Sequence, residues 1–597
     1  MPSMSIAAVQ PPIAGLQLPE LLQRANGLQQ AGQIDDALAL YDDWIANSGS
    51  PLRHVAAFNR GTLLNALGRI EAAEASYRDA LTLRPDFAHA RLNLGHQLEQ
   101  RGARQEALAE WAAVSDSGAA PELRVHALNN RGRLLESMRD FPAAEACLHA
   151  SLLLQARQPD VIQHYVHLRQ KQCKWPAIQP FGDVTANMML TGMSLLATMS
   201  ETDDPALQLL ASMRFVHAKV PAPPAEPVFD KSPRREGKIR IGYLSGDLHT
   251  HAVGLLVPEL LELHDRDRFE VWGFCWTPES NQPQRRRLIE AMDHHVRLAG
   301  VDDHTAARLI AEAGIDVLVD LQGLTSGARP GILVQRPAPV QVSYLGLPGT
   351  SAIPGVDWIL ADTFVMPPAL EPYCTERPLM LPNCYQVSDR RRPVAERPTR
   401  ARYGLPEDAF VFCSFNNNFK FTQPVFETWM RILGQVPGSV LWLLADNDAA
   451  RENMQRAAEA AGIDPSRLVF APRVSPAEYL ARFQLADLVL DTFPFNAGTT
   501  ASDALWMGTP ILTCAGRSYI SRMAGSLLHA VGLPDLVTDS LPAYERLAVQ
   551  IGRHPARAAS YRRYLEEHGR SSPLFDLPRL VRDIESQFER LAVAARA

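Results

Sequence analysis

The sequence predicts an α-helical superhelix followed by two doubly wound α/β lobes. Two observations predict this fold class: a 34-residue repeat in the first third of the chain and, from Lys238 onward, short apolar runs that alternate with amphipathic helical stretches. A period of 34 residues is typical of paired helices that stack into a solenoid. Continuous apolar strands separated by helices indicate parallel sheets that are covered on both faces.

The length and composition are those of several ordinary globular domains. A chain of 597 residues should hold about three to four domains, because one core rarely serves more than ~250 to 300 residues. The net charge of -7 argues against nucleic acid as the main partner. The seven cysteines are scattered without C-x-x-C spacing, so we expect reduced thiols and a cytoplasmic protein. No apolar run approaches the ~18 residues of a membrane span, and we expect no membrane partner.

The first predicted element is a helical solenoid with a capping helix over residues 1–175. Gly61 and Gly95 are 34 residues apart, as are Tyr77 and Trp111. Small residues where two helices cross, with an aromatic residue late in the second helix, match the tetratricopeptide pattern. Earlier and later copies of the pattern predict about four repeats and a degenerate cap.

A solenoid of this kind offers a concave groove for an extended peptide or another protein. Asn59, Asn93 and Asn129 recur near the first helix of successive repeats, and a row of amides could bind the backbone of an acceptor peptide. The same asparagines could equally be solvated or bond between neighbouring helices. The sequence does not indicate an oligomeric state.

Four further segments complete the predicted organisation. They are connecting helices with a Pro-rich linker at 176–237, an N-terminal lobe at 238–387, a C-terminal lobe at 388–555, and helices packing across both lobes at 556–597. Neither lobe contains G-x-G-x-x-G or a Walker loop, which argues against NAD or ATP. A ligand is expected in the crevice between the lobes, at the carboxyl ends of the strands.

The segment LVLDTFPFNAGTTASDALW in the second lobe predicts a diphosphate site. A helix that begins at Thr499 and Thr500 would present unpaired N–H groups and two hydroxyls, and Asp503 on the same turn would be within reach of a ribose. Lys420, in FNNNFK, is the best candidate to neutralise a diphosphate, with Asn417 as a second donor. The alternatives are that the threonines only cap the helix and that the lysine is solvated surface.

Other strand ends carry further candidates. His251 could be a general base or a substrate-positioning residue, because imidazole titrates near physiological pH, or it could be structural. No carboxylate or cysteine set accompanies it, so no metal site is predicted. Tyr479 could stack on a base whose edge the Val474 backbone and Arg482 read; the alternative is a proline-started helix with a buried aromatic residue. The glycines of LGLPGTS could let backbone approach a ligand or form tight turns.

The motifs RPAPVQVSYLGLPGTS, FNNNFK and LADLVLDTFPFNAGTTASDALWMGTP, in this order behind helical repeats, resemble the O-linked N-acetylglucosamine transferase family, which includes the SPINDLY-type proteins. The resemblance implies a GT-B glycosyltransferase fold. It also implies transfer of a sugar, N-acetylglucosamine first among the candidates, from a UDP-sugar to serine or threonine hydroxyls of proteins recruited by the repeats. We expect an inverting reaction without a metal or any cofactor beyond the donor substrate, and the short connectors resemble bacterial members.

The resemblance also assigns roles to residues. His251 would lie beside the sugar as a candidate base. The diphosphate would be bound by Lys420, Asn417, Thr499 and Thr500, and the ribose by Asp503. The uracil would be surrounded by Val474, Tyr479 and Arg482, and the sugar pocket would be lined by Leu345, Gly346 and Pro348. Animal members have histidine at the Tyr479 and Gly498 positions, so affinity or nucleotide choice can differ. Two alternatives stay open: a GDP-fucose-dependent transferase and a repeat-based adaptor with weakened catalysis.

Overall fold

The computed structural model describes residues 15–229 and 236–596. These residues divide into two compact units, one of 15–168 with 180–188 and one of 169–179 with the remainder of the described chain. The first unit contains the helical repeats, and the second contains both sheets. Among the described helices, none has the combination of length and apolar character that crossing a bilayer requires.

The first unit is built from four consecutive helical pairs. Glycines let the helices of a pair touch, because a Cβ on Gly61 would lie 2.8 Å from the Tyr77 ring and one on Gly95 would lie 2.3 Å from the Trp111 indole. The 34-residue period therefore records helix crossings, as predicted. The pairs, followed by a ninth helix, are α1 Leu18–Gln30, α2 Ile34–Asn47, α3 Arg53–Ala66, α4 Ile70–Leu83, α5 Ala88–Gln100, α6 Arg104–Ser115, α7 Pro121–Ser137, α8 Phe141–Leu154 and α9 Pro159–Lys171.

The row of asparagines is engaged within the repeats. The Asn59 amide donates to a carbonyl of its own helix at 2.8 Å, and the Asn93 amide donates to the Tyr77 hydroxyl at 3.3 Å. The Asn129 amide donates to the side-chain oxygen of Gln158 at 2.9 Å. The bonds of Asn93 and Asn129 link different segments of the repeats, whereas the bond of Asn59 lies within one helix. All three amides thus already have partners within the repeats.

Seven parallel strands form the sheet of the first lobe, in the order β3-β2-β1-β4-β5-β6-β7. The strands are β1 Ile239–Ser245, β2 Phe269–Cys275, β3 His294–Arg297, β4 Val317–Asp320, β5 Val340–Ser343, β6 Trp358–Asp362 and β7 Arg377–Leu381. The helices that precede or connect them are α10 Ala186–Gly192, α11 Leu195–Glu201, α12 Pro205–Lys219, α13 Ala252–Leu256, α14 Pro258–Leu263, α15 Pro283–Glu290, α16 Asp303–Glu312 and α17 Pro330–Leu333.

Six parallel strands form the second sheet, in the order β10-β9-β8-β11-β12-β13. They are β8 Val411–Ser414, β9 Val440–Leu444, β10 Leu468–Ala471, β11 Leu488–Leu490, β12 Ile511–Cys514 and β13 Val537–Thr538. The helices of this lobe and of the C-terminal segment are α18 Gln423–Gln435, α19 Asp448–Ala460, α20 Pro476–Arg482, α21 Thr499–Trp506, α22 Met523–Val531, α23 Leu541–Arg553, α24 Pro555–His568 and α25 Leu577–Arg596. Helix α23 packs on α18, whereas α25 packs on β4, β5 and β7 of the first sheet.

Both sheets have a topological switch point, where the strand order changes direction. In the second sheet β8 lies beside β11, and the loops after these two strands contain Lys420 and the Gly498–Thr500 turn. Loops that leave neighbouring strands in opposite directions open a crevice between them, which is where ligands bind in sheets of this kind. The topology thus explains why two segments about 80 residues apart meet at one site.

Three strands, β3, β7 and β13, do not coincide with continuous apolar runs of the sequence. Each is an edge strand of its sheet. Edge strands need less apolar surface than central ones and often carry charged or polar side chains. Strand β3 begins with two histidines and is partly exposed, so its sequence has no buried-strand pattern.

Candidate functional site

A cavity of about 160 Å³ lies between the two lobes at the carboxyl ends of their strands. Six of the residues proposed from the sequence line it. They are Leu345, Gly346 and Pro348 from the loop after β5, and Lys420, Gly498 and Thr499 from the second lobe. The structure therefore brings the sugar-side and diphosphate-side candidates to one place.

The first-lobe wall of the cavity is fixed by close backbone packing. A Cβ on Gly346 would lie 2.3 Å from the carbonyl oxygen of Leu321, so only glycine fits between the loops after β4 and β5. The buried carboxylate of Glu376 holds the same loop by accepting hydrogen bonds from the hydroxyls of Thr350 at 2.7 Å and Ser351 at 2.6 Å. This wall is consequently well ordered before any ligand binds.

The N-terminus of α21 forms the opposite wall. Gly498 is the N-cap residue and has no side chain with which to cap the helix, while the Ser502 N–H donates to the Gly498 carbonyl at 3.0 Å. Thr499 and Thr500 thus occupy the first two helical positions and do not act as caps. The N–H groups of a first turn have no acceptor within the helix and carry the positive end of its dipole. This terminus can therefore accept an anion.

A buried carboxylate holds the turn that leads into α21. Asp491 directly follows β11 and accepts hydrogen bonds from the N–H groups of Thr492 and Ala497, both at 2.8 Å, and from the Thr513 hydroxyl at 2.7 Å. Burial raises the pKa of Asp491 to about 6, although these bonds oppose the rise. The chain between Asp491 and Gly498 is folded back as a rigid loop.

Lys420 supplies a cation beside this terminus. Its ammonium donates to the Asn496 carbonyl at 3.5 Å and lies 3.8 Å from the centre of the Phe495 ring. Within the described chain, no carboxylate lies within ion-pair distance of it. Burial lowers the pKa of Lys420 to about 8, with the charge of Asp491 opposing the shift. Asn417, three residues earlier, is exposed and does not line the cavity.

Three other candidates form a cluster against the outer side of α21. Burial raises the pKa of the Tyr479 hydroxyl, and the nearby side chain of Thr500 opposes that rise. The Arg482 guanidinium, only 1% exposed, lies 3.8 Å from the Phe415 ring centre and 4.6 Å from that of Tyr479. Its Nη1 donates to the Pro472 carbonyl at 3.1 Å, whereas its Nε has no partner in the described chain.

The surroundings of Tyr479 and Val474 bear on their predicted roles in binding a base. Tyr479 packs on Phe483 at 5.3 Å between ring centres, and α20 begins at Pro476 behind a Ser475 cap. The proline-started helix with an inward aromatic residue is thus present alongside the Thr500 contact. Val474 lies partly buried in the loop before this helix and does not line the cavity.

Asp503 is placed differently from the expectation. It lies one turn into α21 instead of on its first turn, and its carboxylate is ion-paired with Arg392 of the connector, both side chains being almost fully buried. The pair lines a separate, smaller cavity with Ser388 and Leu480. No sequence pattern marks this partner, because the two residues are 111 positions apart.

His251 lies at the mouth of the crevice, immediately before α13. Its Nδ1 is 3.5 Å from an Asp247 carboxylate oxygen, and 44% of the side chain is exposed. Partial burial lowers the pKa of His251, while Asp247 acts in the opposite direction. The next residue, Ala252, lines the cavity. The imidazole is therefore neutral near pH 7 and close to the site, as a base requires.

Several residues that line the cavity were not predicted from the sequence, including Gln386, Tyr519 and Met523. Gln386 belongs to an irregular connector and the other two to the segment after β12, so no periodic pattern marks them. Within residues 15–229 and 236–596, no group of three or more His, Cys, Asp or Glu side chains could hold a metal ion.

The fold and the site together define a class of protein. Helical repeats precede two parallel-sheet lobes. The N-terminus of a helix lines the crevice between the lobes together with Lys420, which has no carboxylate within ion-pair distance in the described chain. This is the GT-B architecture of glycosyltransferases.

Comparison with known proteins gives the family. Residues 223–397 and 394–584 match glycosyl transferase family 41, and residues 55–87 match a tetratricopeptide repeat. Because these matches span more than half of the chain, it belongs to glycosyl transferase family 41.

Individual relatives agree with that assignment. The chain is 32% identical over 404 residues to the Arabidopsis thaliana protein named "Probable UDP-N-acetylglucosamine--peptide N-acetylglucosaminyltransferase SEC", a match that covers 65% of this chain and 41% of the relative. It is 28% identical over 461 residues to the Caenorhabditis elegans UDP-N-acetylglucosamine--peptide N-acetylglucosaminyltransferase, covering 58% and 40%. The chain thus spans about two fifths of the length of these curated relatives.

A solved structure matches over nearly the whole chain. It is a mutant of the Thermobaculum terrenum O-GlcNAc transferase, with a TM-score of 0.65 and 25% identity, and the match covers 91% of this chain and 98% of that one. The order of helical repeats followed by two lobes is therefore shared with this solved chain.

Proposed function

We propose that this chain transfers a sugar from a UDP-sugar to serine or threonine hydroxyls of proteins. The observation that carries the proposal is Lys420, a cation without a carboxylate partner in the described chain, in the same cavity as the uncapped N-terminus of α21. Unpaired positive charge in a partly buried site is costly unless an anion is to be bound there. A diphosphate satisfies both the ammonium and the helix N–H groups.

The proposed reaction is a direct displacement with inversion. The acceptor hydroxyl oxygen forms a bond to the anomeric carbon while the bond from that carbon to the β-phosphate oxygen breaks, and the electron pair leaves with UDP. Lys420 and the α21 terminus stabilise the charge that develops on the leaving phosphate. Since these groups supply the positive charge, the proposal requires no metal, and activity should persist after chelation of divalent ions.

The acceptor proton needs a base, for which His251 is the proposed candidate. Because its pKa is lowered, the His251 ring is neutral at pH 7. His251 directly precedes Ala252, which lines the cavity. A neutral imidazole can accept the hydroxyl proton as the new bond forms.

The nucleoside end of the donor is assigned to the cluster on the outer side of α21. The Tyr479 hydroxyl lies near the Thr500 side chain, and Arg482 retains a buried Nε donor without a partner in the described chain. Such a donor can read the edge of a base, while the Val474 backbone in the adjoining loop offers a second contact. The names of the curated relatives support uridine and N-acetylglucosamine as the first choices.

The repeats are proposed to recruit the acceptor protein through their groove. All seven cysteines are free, which is consistent with acceptors in a reducing compartment such as the cytoplasm.

Calorimetric titration with UDP and GDP tests the proposal first. Binding of UDP in preference to GDP supports the uridine assignment, whereas binding of GDP alone would replace it by the GDP-fucose alternative. Mass spectrometry of cytoplasmic proteins from cells with and without the gene then identifies the sugar and the acceptor. A chain that binds UDP but produces no serine- or threonine-linked sugar would be an adaptor with a vestigial site.

A further inference from the structure

Gln386 is a buried amide at the wall of the cavity. Only 2% of the residue is exposed, and it lines the same cavity as Lys420 and Thr499. Its Oε1 accepts a hydrogen bond from the Tyr385 hydroxyl at 3.4 Å, while its Nε2 has no partner in the described chain. A buried amide N–H that is left unpaired costs free energy, so a ligand oxygen is the natural partner to seek.

The amide lies at the uncapped end of α21. A Cβ built on Gly498 would be 3.1 Å from the Gln386 Oε1 and 2.7 Å from the Met523 methyl carbon. The Gln386 side chain therefore occupies space that a larger residue at position 498 would need. It reaches, from the connector, the point where the first-turn N–H groups of the helix face the cavity.

Both lobes hold the backbone that carries this amide. The Asp362 carboxylate at the end of β6 accepts from the Tyr385 N–H at 2.8 Å and from the hydroxyl of Ser526, in α22, at 2.5 Å. The Tyr344 hydroxyl donates to the Tyr385 carbonyl at 2.8 Å. With its neighbour pinned on both sides, Gln386 is held in place before a ligand arrives, which lowers the entropy cost of using it.

We propose that Gln386 is a donor-binding residue whose Nε2 donates a hydrogen bond to a β-phosphate oxygen of the sugar nucleotide. The inference rests on the proposed function and adds a third group to Lys420 and the α21 terminus. The β-phosphate is favoured over the base because Gln386 shares its cavity with Lys420 and lies at the end of α21 opened by Gly498, whereas Tyr479 and Arg482 do not line that cavity.

Three variants test the inference. Gln386→Met keeps the size of the side chain and removes the donor, so UDP affinity and kcat/KM for the donor should fall about 10- to 100-fold. Gln386→Glu is nearly isosteric but places a carboxylate beside the diphosphate, so binding should be weaker still and should recover as the pH is lowered and the carboxyl becomes protonated. Gln435→Met, on the exposed face of α18, is the matched control and should leave both quantities unchanged.

The outcomes separate this inference from the function on which it rests. Wild-type UDP affinity and kcat/KM in Gln386→Met would overturn the role of Gln386 and leave the proposed function intact. Failure of the wild-type chain to bind either UDP or GDP would overturn both. If Gln386→Met melts at a much lower temperature than the wild type, Gln386→Glu becomes the test. Recovery of its UDP binding at low pH supports the inference. UDP binding that equals that of the wild type at every pH refutes it.

Discussion

Replacing Lys420 by methionine removes the cation while retaining most of the side-chain volume. Lys420 is the charged group of the proposed diphosphate site, and loss of one such transition-state contact typically reduces kcat about 10²- to 10³-fold. Loss of a hydrogen bond to a charged ligand weakens ground-state binding by about 1.5 to 3 kcal/mol, so the affinity for UDP should fall about 10- to 100-fold. Steady-state kinetics and calorimetry measure the two effects separately.

The same variant should be at least as stable as the wild type in the absence of ligand. Burial lowers the pKa of Lys420 from 10.5 to about 8, which corresponds to a cost of about 3 kcal/mol for the charged form in the folded protein. Methionine carries no such cost. A lysine that contributed to the folded structure would give the opposite result, namely a lower melting temperature on replacement.

The sign of the pH dependence follows from the depressed pKa. Between pH 8 and 10.5 the unfolded chain still binds the Lys420 proton, whereas the folded chain has released it. Stability rises with pH wherever the unfolded state binds more protons. Any advantage of Lys420→Met in melting temperature at pH 7 should therefore shrink as the pH approaches 10.

An exposed lysine provides the control for Lys420→Met. Lys238→Met changes an exposed lysine outside the cavity and should alter neither kcat nor UDP affinity. Full transfer activity together with wild-type UDP affinity in Lys420→Met would contradict the assignment of Lys420. A melting temperature that falls by several degrees would show instead that the lysine is structural.

Other predictions concern pH, the lobe core and the repeats. The pH profile of kcat/KM should be bell-shaped, with an acid limb below 6.5 as His251 gains a proton and a basic limb near 8 as Lys420 loses one; a flat profile from pH 5.5 to 9 would contradict both assignments. Glu585→Ala leaves the buried His264 ring without its acceptor, and we expect a loss of about 3 kcal/mol in unfolding experiments. Gly95→Val places side-chain atoms against the indole it faces, which should destabilise the repeat unit by roughly 1 to 3 kcal/mol without changing UDP affinity, as differential scanning calorimetry and UDP titration can show.

The parts of the fold that the sequence predicted correctly are those with a strong period. The repeats follow from glycines such as Gly61, which no other residue can replace without meeting the facing ring. Ten of the thirteen described strands follow from continuous apolar runs, because both faces of each sheet are covered. The loops after β8 and β11 then meet at the switch point of the sheet, so six site candidates share one cavity.

The site features that could not be predicted from the sequence depend on contacts between distant segments. The ion pair of Asp503 with Arg392 joins a helix to the connector, and nothing near either residue marks it. The same holds for Gln386, which belongs to no helix or strand and is brought to the cavity by Asp362 of one lobe and Ser526 of the other. Pairings of this kind are fixed by tertiary structure and leave no local pattern.

One local signal does connect the sequence to the order of the site loops. Asp320 and Asp362 end β4 and β6, and Asp491 directly follows β11, each after a run of apolar residues. Each carboxylate is buried and accepts two N–H groups of the loop that it precedes: Gln322 and Gly323, Phe364 and Val365, and Thr492 and Ala497.

Aspartate at these positions is expensive to bury, since burial raises the pKa of both Asp320 and Asp491 to about 6. The backbone N–H groups of the following loops offset this cost by donating hydrogen bonds to the buried carboxylates. An apolar run that ends in Asp therefore indicates a strand whose following loop is locked in place. In this chain the loop after Asp491 carries Phe495 to the cavity, and Leu321 of the loop after Asp320 packs against Gly346 of the cavity wall. These two loops help to explain how a site assembled from irregular segments is ready for a charged ligand before the ligand binds.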